Sequence, residues 1–138
     1  MTTPRLSIEA ECARRGKPAL VAGCVALLNG EPVDDALVVA LGGAAGSYVL
    51  DSGPVSQYWL RVWAARGLLW AWDSAAIEAI IAALDDEHWR VREMAAKVVA
   101  RHLLGDAFEA VAARTDDPVP RVAGAAARAV RNLTANGS

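Results

Sequence analysis

Three cations return at an interval of 31 residues: Arg66, Lys97 and Arg128. Each lies opposite an apolar stripe of helical spacing, so the register predicts a column of positive charge across three neighbouring helices. The same predicted faces carry Trp59, Val62 and Trp70 in the first segment and Arg90, Glu93 and Arg101 in the second. In the third they carry Arg121, Gly124 and Asn132. Nine of the 14 Lys and Arg residues fall within 58–72, 89–104 and 119–132, against one acid, Glu93. Most other acids of the C-terminal half lie between these segments, at Asp73, Glu78, Asp85, Asp86, Glu87, Asp106, Glu109, Asp116 and Asp117. A chain of net charge −2 therefore has one basic side. The chemistry this suits is the holding of an anionic surface, through Arg66, Lys97, Arg128, Arg90, Arg101 and Arg121, with indole faces from Trp59 and Trp70. The same pattern also suits a solvated helix surface, in which Arg90–Glu93 and Glu93–Lys97 pairs are worth only tenths of a kcal/mol.

Bond-making chemistry finds little support. Glu93 stands alone among bases, and no Ser/His/Asp grouping follows from the register. His88 and His102 lie 14 residues apart with no cysteine beside them, which argues against a metal site. The run "GGAAGS" lacks the lysine of a phosphate-binding loop and follows no clear strand, so it reads as a connection. Cys12 and Cys24 form no framework and read as small buried hydrophobes in a reducing compartment. No catalytic residue, metal or cofactor is expected. Trp63 falls on the apolar stripe and belongs to the core. Trp72 and Trp89 fall at helix ends, where an indole packs its ring and keeps its N–H wet. Trp59 and Trp70 are either covered by the N-terminal hairpin or by residues 43–54, or they form an aromatic–basic pocket for a peptide, a base or a planar ligand.

The elements that must position these residues follow from the same interval. At a spacing of 31, Leu60, Val91 and Val122 coincide, as do Ala64, Ala95 and Ala126, and Leu68, Val99 and Val130. The steps i, i+4 and i+8 make one face of a helix, with alanine where a neighbour approaches closely. Leu60, Trp63, Ala64, Val91, Ala95, Val99, Val122 and Ala126 are the predicted core. Asp85-Asp86 and Asp116-Asp117 precede the second and third helices as candidate caps, and Asp73 or Ser74 opens "DSAAIEAIIAALDD". Gly105 is expected to end the helix before "GDAFEAVAARTDD". Upstream, "SIEAECARRG" and "KPALVAGCVALLNG" read as two helices broken at Gly16-Lys17-Pro18, and "PVDDALVVALGG" as a third. Residues 43–54 read as a short helix or a long loop. Hydrophobic residues make up 54% of the chain, but much of that is alanine and there is one Phe, which suits packed helices over a sandwich.

The units "LDDEHWRVREMAAKVVA" and "TDDPVPRVAGAAARAV", and more loosely "YWLRVWAARGLL", resemble HEAT repeats. With a period of 31 they look most like the short bacterial HEAT-like repeats of phycobilin lyases. The resemblance covers roughly residues 55–132. It implies an all-α fold, an α-solenoid of antiparallel helix pairs: an N-terminal hairpin or degenerate repeat at 1–30, helix-pair repeats at 31–72, 73–104 and 105–133, and a frayed tail at 134–138. It also implies that Arg61 and Arg92 reach carboxylates of neighbouring turns. The function expected is a non-enzymatic scaffold that docks a protein or an acidic segment. The second reading is a nucleic-acid binder. Alkylpurine DNA glycosylases are similar at the level of the fold, and Trp59, Trp70, Arg66, Lys97 and Arg101 would supply stacking and charge, with Glu93 as the carboxylate. The alanine-rich last helix and Phe108 suggest contact with a second copy or a further domain. The longest apolar run, Ala19 to Leu28, is about half of the ~20 residues a membrane span needs, and the start lacks a secretory h-region. A cytoplasmic protein is expected.

Overall fold

A computed structural model of the chain describes residues 3–43, 45 and 57–136. Among these residues every regular element is helical, in an α-solenoid-like arrangement of helix pairs. The chain divides into two compact units, Met1–Ala76 and Ile77–Ser138. No described helix is long and apolar enough to cross a membrane.

The first unit contains α1 (Pro4–Arg15), α2 (Lys17–Leu28), α3 (Asp35–Gly42) and α4 (Gln57–Trp70). Thr3 caps α1 by accepting from the Leu6 N–H at 3.1 Å, and Pro4 supplies a first residue that needs no N–H partner. The predicted break falls where expected, at Gly16 with φ 92°, and α2 begins one residue later. α2 buries Leu20, Val21, Cys24 and Leu27, and burial pushes the Cys24 thiol up to about 12. A Cβ built on Gly67 of α4 would stand 2.7 Å from Leu41 Cδ2 and 2.8 Å from Cys24 Sγ, so α2, α3 and α4 meet there at a distance only glycine permits. Polar bonds tie α1 to α3. Ser7 donates to the Ala40 carbonyl at 2.7 Å, and Arg15 donates to both Asp34 oxygens at 2.8 and 2.9 Å. Asp34 also caps α3 through the Leu37 N–H, and the Arg15 guanidinium and that N–H together hold its carboxyl well below the usual range.

The second unit contains α5 (Ile77–Ala83), α6 (Trp89–His102), α7 (Phe108–Ala113) and α8 (Pro120–Asn136). α6 packs most extensively along α8, and α7 also packs on α8. Val91, Ala95, Ala96, Val98 and Val99 of α6 and Val122, Ala126 and Ala129 of α8 are buried. Each valine contributes about 1.5–3 kcal/mol, and the alanines let the helix backbones approach. The paired aspartates repeat in structure as well as in sequence. Asp86 accepts from the His88 N–H and Asp117 from the Val119 N–H, both at 2.9 Å. Each second aspartate closes an Asx turn that aims the chain into the following helix.

Several expectations are corrected. Leu60 is half-buried, whereas Trp63, Ala64, Val91, Ala95, Val99, Val122 and Ala126 are buried. Val62, placed on the outer face by the register, is 7% exposed and belongs to the core, so α4 is enclosed on more sides than α6. His88 is the N-cap of α6; it accepts from the Arg90 N–H through Nδ1 at 3.2 Å, two residues beyond Asp86. α6 ends at Leu103, not Gly105, with φ 54° in the left-handed region, a conformation costing a non-glycine residue about 1–2 kcal/mol. Gly105 instead opens a 3-10 turn, Gly105–Ala107. Apart from Gly43 and Ala45, the stretch 43–54 lies outside the described residues. Because Ala95 is fully enclosed, Ala95→Arg buries a charge with no partner and is expected to cost more than about 4 kcal/mol. Urea unfolding followed by circular dichroism measures this, and an unchanged midpoint would overturn the helix register.

Candidate interaction face

Within the second unit, the interval of 31 sets Arg90 beside Arg121 and Lys97 beside Arg128 on neighbouring helices. Lys97, Arg101, Arg121 and Arg128 are exposed and Arg90 is half-buried. Trp89, the first residue of α6, organises one end of this face. The Arg90 guanidinium lies over its ring at 4.5 Å from the centroid and the Arg121 guanidinium at 5.3 Å, while His88 stacks at 6.2 Å. Cation–π attraction thus holds two like charges together that would otherwise separate. Glu93 works toward the same end. Its carboxylate, only 12% exposed, accepts from Arg121 Nε at 3.0 Å and lies 3.7 Å from Lys97 Nζ. The one acid of this face is therefore spent on orienting two of its cations. Among the described residues of the face, five cations then stand against one shielded carboxylate.

Below this face is the bond on which its geometry rests. Arg92 donates Nε and Nη2 to Asp117 at 2.9 and 3.2 Å and Nη1 to the carbonyls of Asp86 and Glu87 at 2.8 and 3.2 Å. The Asp117 side chain is fully buried and that of Arg92 is 11% exposed. Arg114 adds a contact to Asp117 at 3.5 Å. Arg92 thus reaches a turn carboxylate as the sequence resemblance implies. Arg61 is also engaged within the chain.

The first unit treats its candidate residues differently. Arg66 is not an exposed cation. Its Nη2 donates to the Leu41 carbonyl in the last turn of α3 at 2.6 Å, and its buried Nε has no hydrogen-bond partner among the described residues. Burial pushes its pKa down. Trp70 has the Arg5 guanidinium 4.7 Å over its ring, so α1 does cover it, as the hairpin alternative requires. Trp59 is half-buried, with its ring centroid 5.1 Å from that of Tyr58 and 6.4 Å from that of Trp63. Trp59, Trp70 and Arg66 are each engaged inside their own unit, and the three-residue column does not survive at Arg66. Sequence reasoning missed Trp89 as part of the basic face, reading it as a helix-end indole. The available signal was its place beside Arg90, which the register pairs with Arg121.

Asp117 provides a test of the underlying scaffold. Burial by itself would raise its pKa, but the hydrogen bonds from Arg92 and from the Val119 N–H, with the charges of Arg92 and Arg114, outweigh that and leave it lowered. A depressed folded pKa contributes stability above the unfolded value of about 4, and that stability is lost as pH falls through the folded value. The unfolding free energy is therefore expected to drop below about pH 4. Arg92→Met, which leaves the buried carboxylate with only the Val119 N–H and the longer Arg114 contact, is expected to cost about 3 kcal/mol at pH 7. Urea titrations of both proteins from pH 2 to 7 measure this.

Comparison with known proteins agrees with this helical geometry. The family model of the HEAT repeat matches residues 76–101, the span that contains α5, the aspartate turn and nearly all of α6. No curated protein and no solved structure matches the chain. The chain carries a HEAT repeat, built on α5 and α6.

Proposed function

We propose that the protein is a non-enzymatic interaction module whose α6/α8 face docks an acidic segment of another protein. HEAT repeats generally mediate protein interactions, by presenting side chains from stacked helices over an extended surface. The observation that carries the reading here is the charge of that face: Arg90, Lys97, Arg101, Arg121 and Arg128 on two packed helices, with Glu93 already committed to Arg121 and Lys97. Such a surface attracts negative partners over about a Debye length and gives them faster encounter as well as affinity. The nucleic-acid reading loses support, because Trp59, Trp70 and Arg66 are engaged within the first unit and Trp89 already carries two guanidiniums on its ring. Among the described residues of the α6/α8 face, the one carboxylate, Glu93, is ion-paired and not held for a glycosylase-like reaction.

The test compares a fluorescent Asp/Glu-rich 20-residue peptide with a single-stranded DNA of the same length. Triple reversal, Lys97→Glu, Arg101→Glu and Arg128→Glu, is expected to weaken peptide binding by about 10–100-fold, a few tenths to one kcal/mol per exposed charge. The melting temperature should stay nearly constant, because these side chains are exposed. Tighter binding to the DNA, with a steep dependence on salt, favours the nucleic-acid reading. Peptide affinity that ignores the reversal leaves the face a solvated helix surface.

A further inference from the structure

Gly124 lies in the second turn of α8, between Arg121 and Arg128, and is exposed. Nothing among the described residues asks for a glycine there. A Cβ at that position meets no described atom within 4 Å, and the backbone does not occupy the left-handed region. Gly67 makes the contrast, since a Cβ there would collide with Leu41 and Cys24. A glycine inside a helix is less favourable than alanine by a margin that matters in a domain of this size. Its place is also specific. The 31-residue register sets it beside Glu93, the one position of the face where α6 bears no outward cation.

The surrounding charges have a periodicity that selects a shape. Arg90 and Lys97 on α6, and Arg121 and Arg128 on α8, are each seven residues apart, about 10.5 Å along the helix axis. The two helices pack side by side, with axes about 8–10 Å apart. An acidic helix lying along them presents carboxylates at i and i+7 with the same 10.5 Å repeat. An extended peptide presents same-side residues about every 6.6 Å, and its residue three along faces the other way. Resting on the reading of α6/α8 as an acidic-protein dock, we infer that the occupant is an amphipathic α-helix with acidic residues at heptad spacing, and that its backbone approaches α8 at Gly124. Carboxylates on its flanks meet Arg121 and Arg128 on one side and Lys97 on the other. The missing Cβ leaves room for the approach.

Two synthetic peptides of equal length and charge test this. One is a stapled helix with Glu at positions i, i+7 and i+14; the other is its scramble, interrupted by a central proline. The stapled helix is expected to bind about tenfold tighter. Gly124→Ala removes a helix-weakening residue at an open position, so the melting temperature should rise by roughly 2–4 °C. The same substitution should weaken the stapled helix about tenfold, and Gly124→Leu more, because a close contact tolerates no added carbon. A gain in stability together with a loss of binding is a result that a purely structural glycine does not produce. If Gly124→Ala and Gly124→Leu leave affinity unchanged, or if both peptides bind alike, the helical occupant is wrong, while loss of both on charge reversal still upholds the acidic dock. If the wild-type protein binds neither peptide, both readings fall.

Discussion

The second unit depends on the buried bond between Arg92 and Asp117. Arg92 belongs to α6 and Asp117 to the turn that opens the last helix, so their bond ties α6 to the start of α8. All three guanidinium nitrogens are used, two on the carboxylate and one on the carbonyls of the preceding turn. A charge pair that leaves water this completely gives little net stability over an apolar substitute, but a mispaired arrangement strands a buried charge. Its value is therefore in the choice of register. It holds α8 against α6 at the offset where Ala95 and Ala126 are enclosed, and where the cations beyond them fall side by side.

From that register the polar surface follows. Glu93 and Trp89 act on the exposed cations from beneath, one through charge and the other through its ring, and both fix side chains that would otherwise sample many rotamers. Pre-ordered cations lose less entropy on binding than free ones, which is the physical reason to regard this face as more than a solvated surface. The other acids of the same unit lie on the shorter helices and turns, Asp86 and Asp117 committed to Asx turns and Asp117 also to Arg92. Segregation of sign thus arises because carboxylates serve the turns while the second helices carry the bases.

One position of the register shows the limit of the repeat. Arg66 and Lys97 are equivalent by sequence, yet Lys97 points into solvent and Arg66 turns inward. The difference comes from α3, whose last-turn carbonyl at Leu41 lies within reach of Arg66 and whose C-terminal end favours a cation. The 31-residue register aligns α4, α6 and α8 and does not encode the position of α3. Val62 is enclosed for a related reason, in a unit where α1, α2 and α3 all contact α4.

The sequence alone determined the helical class, the break at Gly16, the turns at the paired aspartates and nearly all of the buried stripe. Periodicity and turn chemistry are local, and each recurs often enough to be read without coordinates. It also located the basic face, since Arg90, Lys97, Arg121 and Arg128 follow from register alone. Tertiary structure decided what the pattern left equivalent. It chose Leu103 over Gly105 as the end of α6, placed the cap of α6 on His88, and engaged Arg66 and Trp70 within the first unit. It made Trp89 a platform for two arginines. These outcomes turn on contacts between residues distant in sequence, where a difference of a kcal/mol or so selects one partner over another. A single chain read linearly holds no measure of that difference.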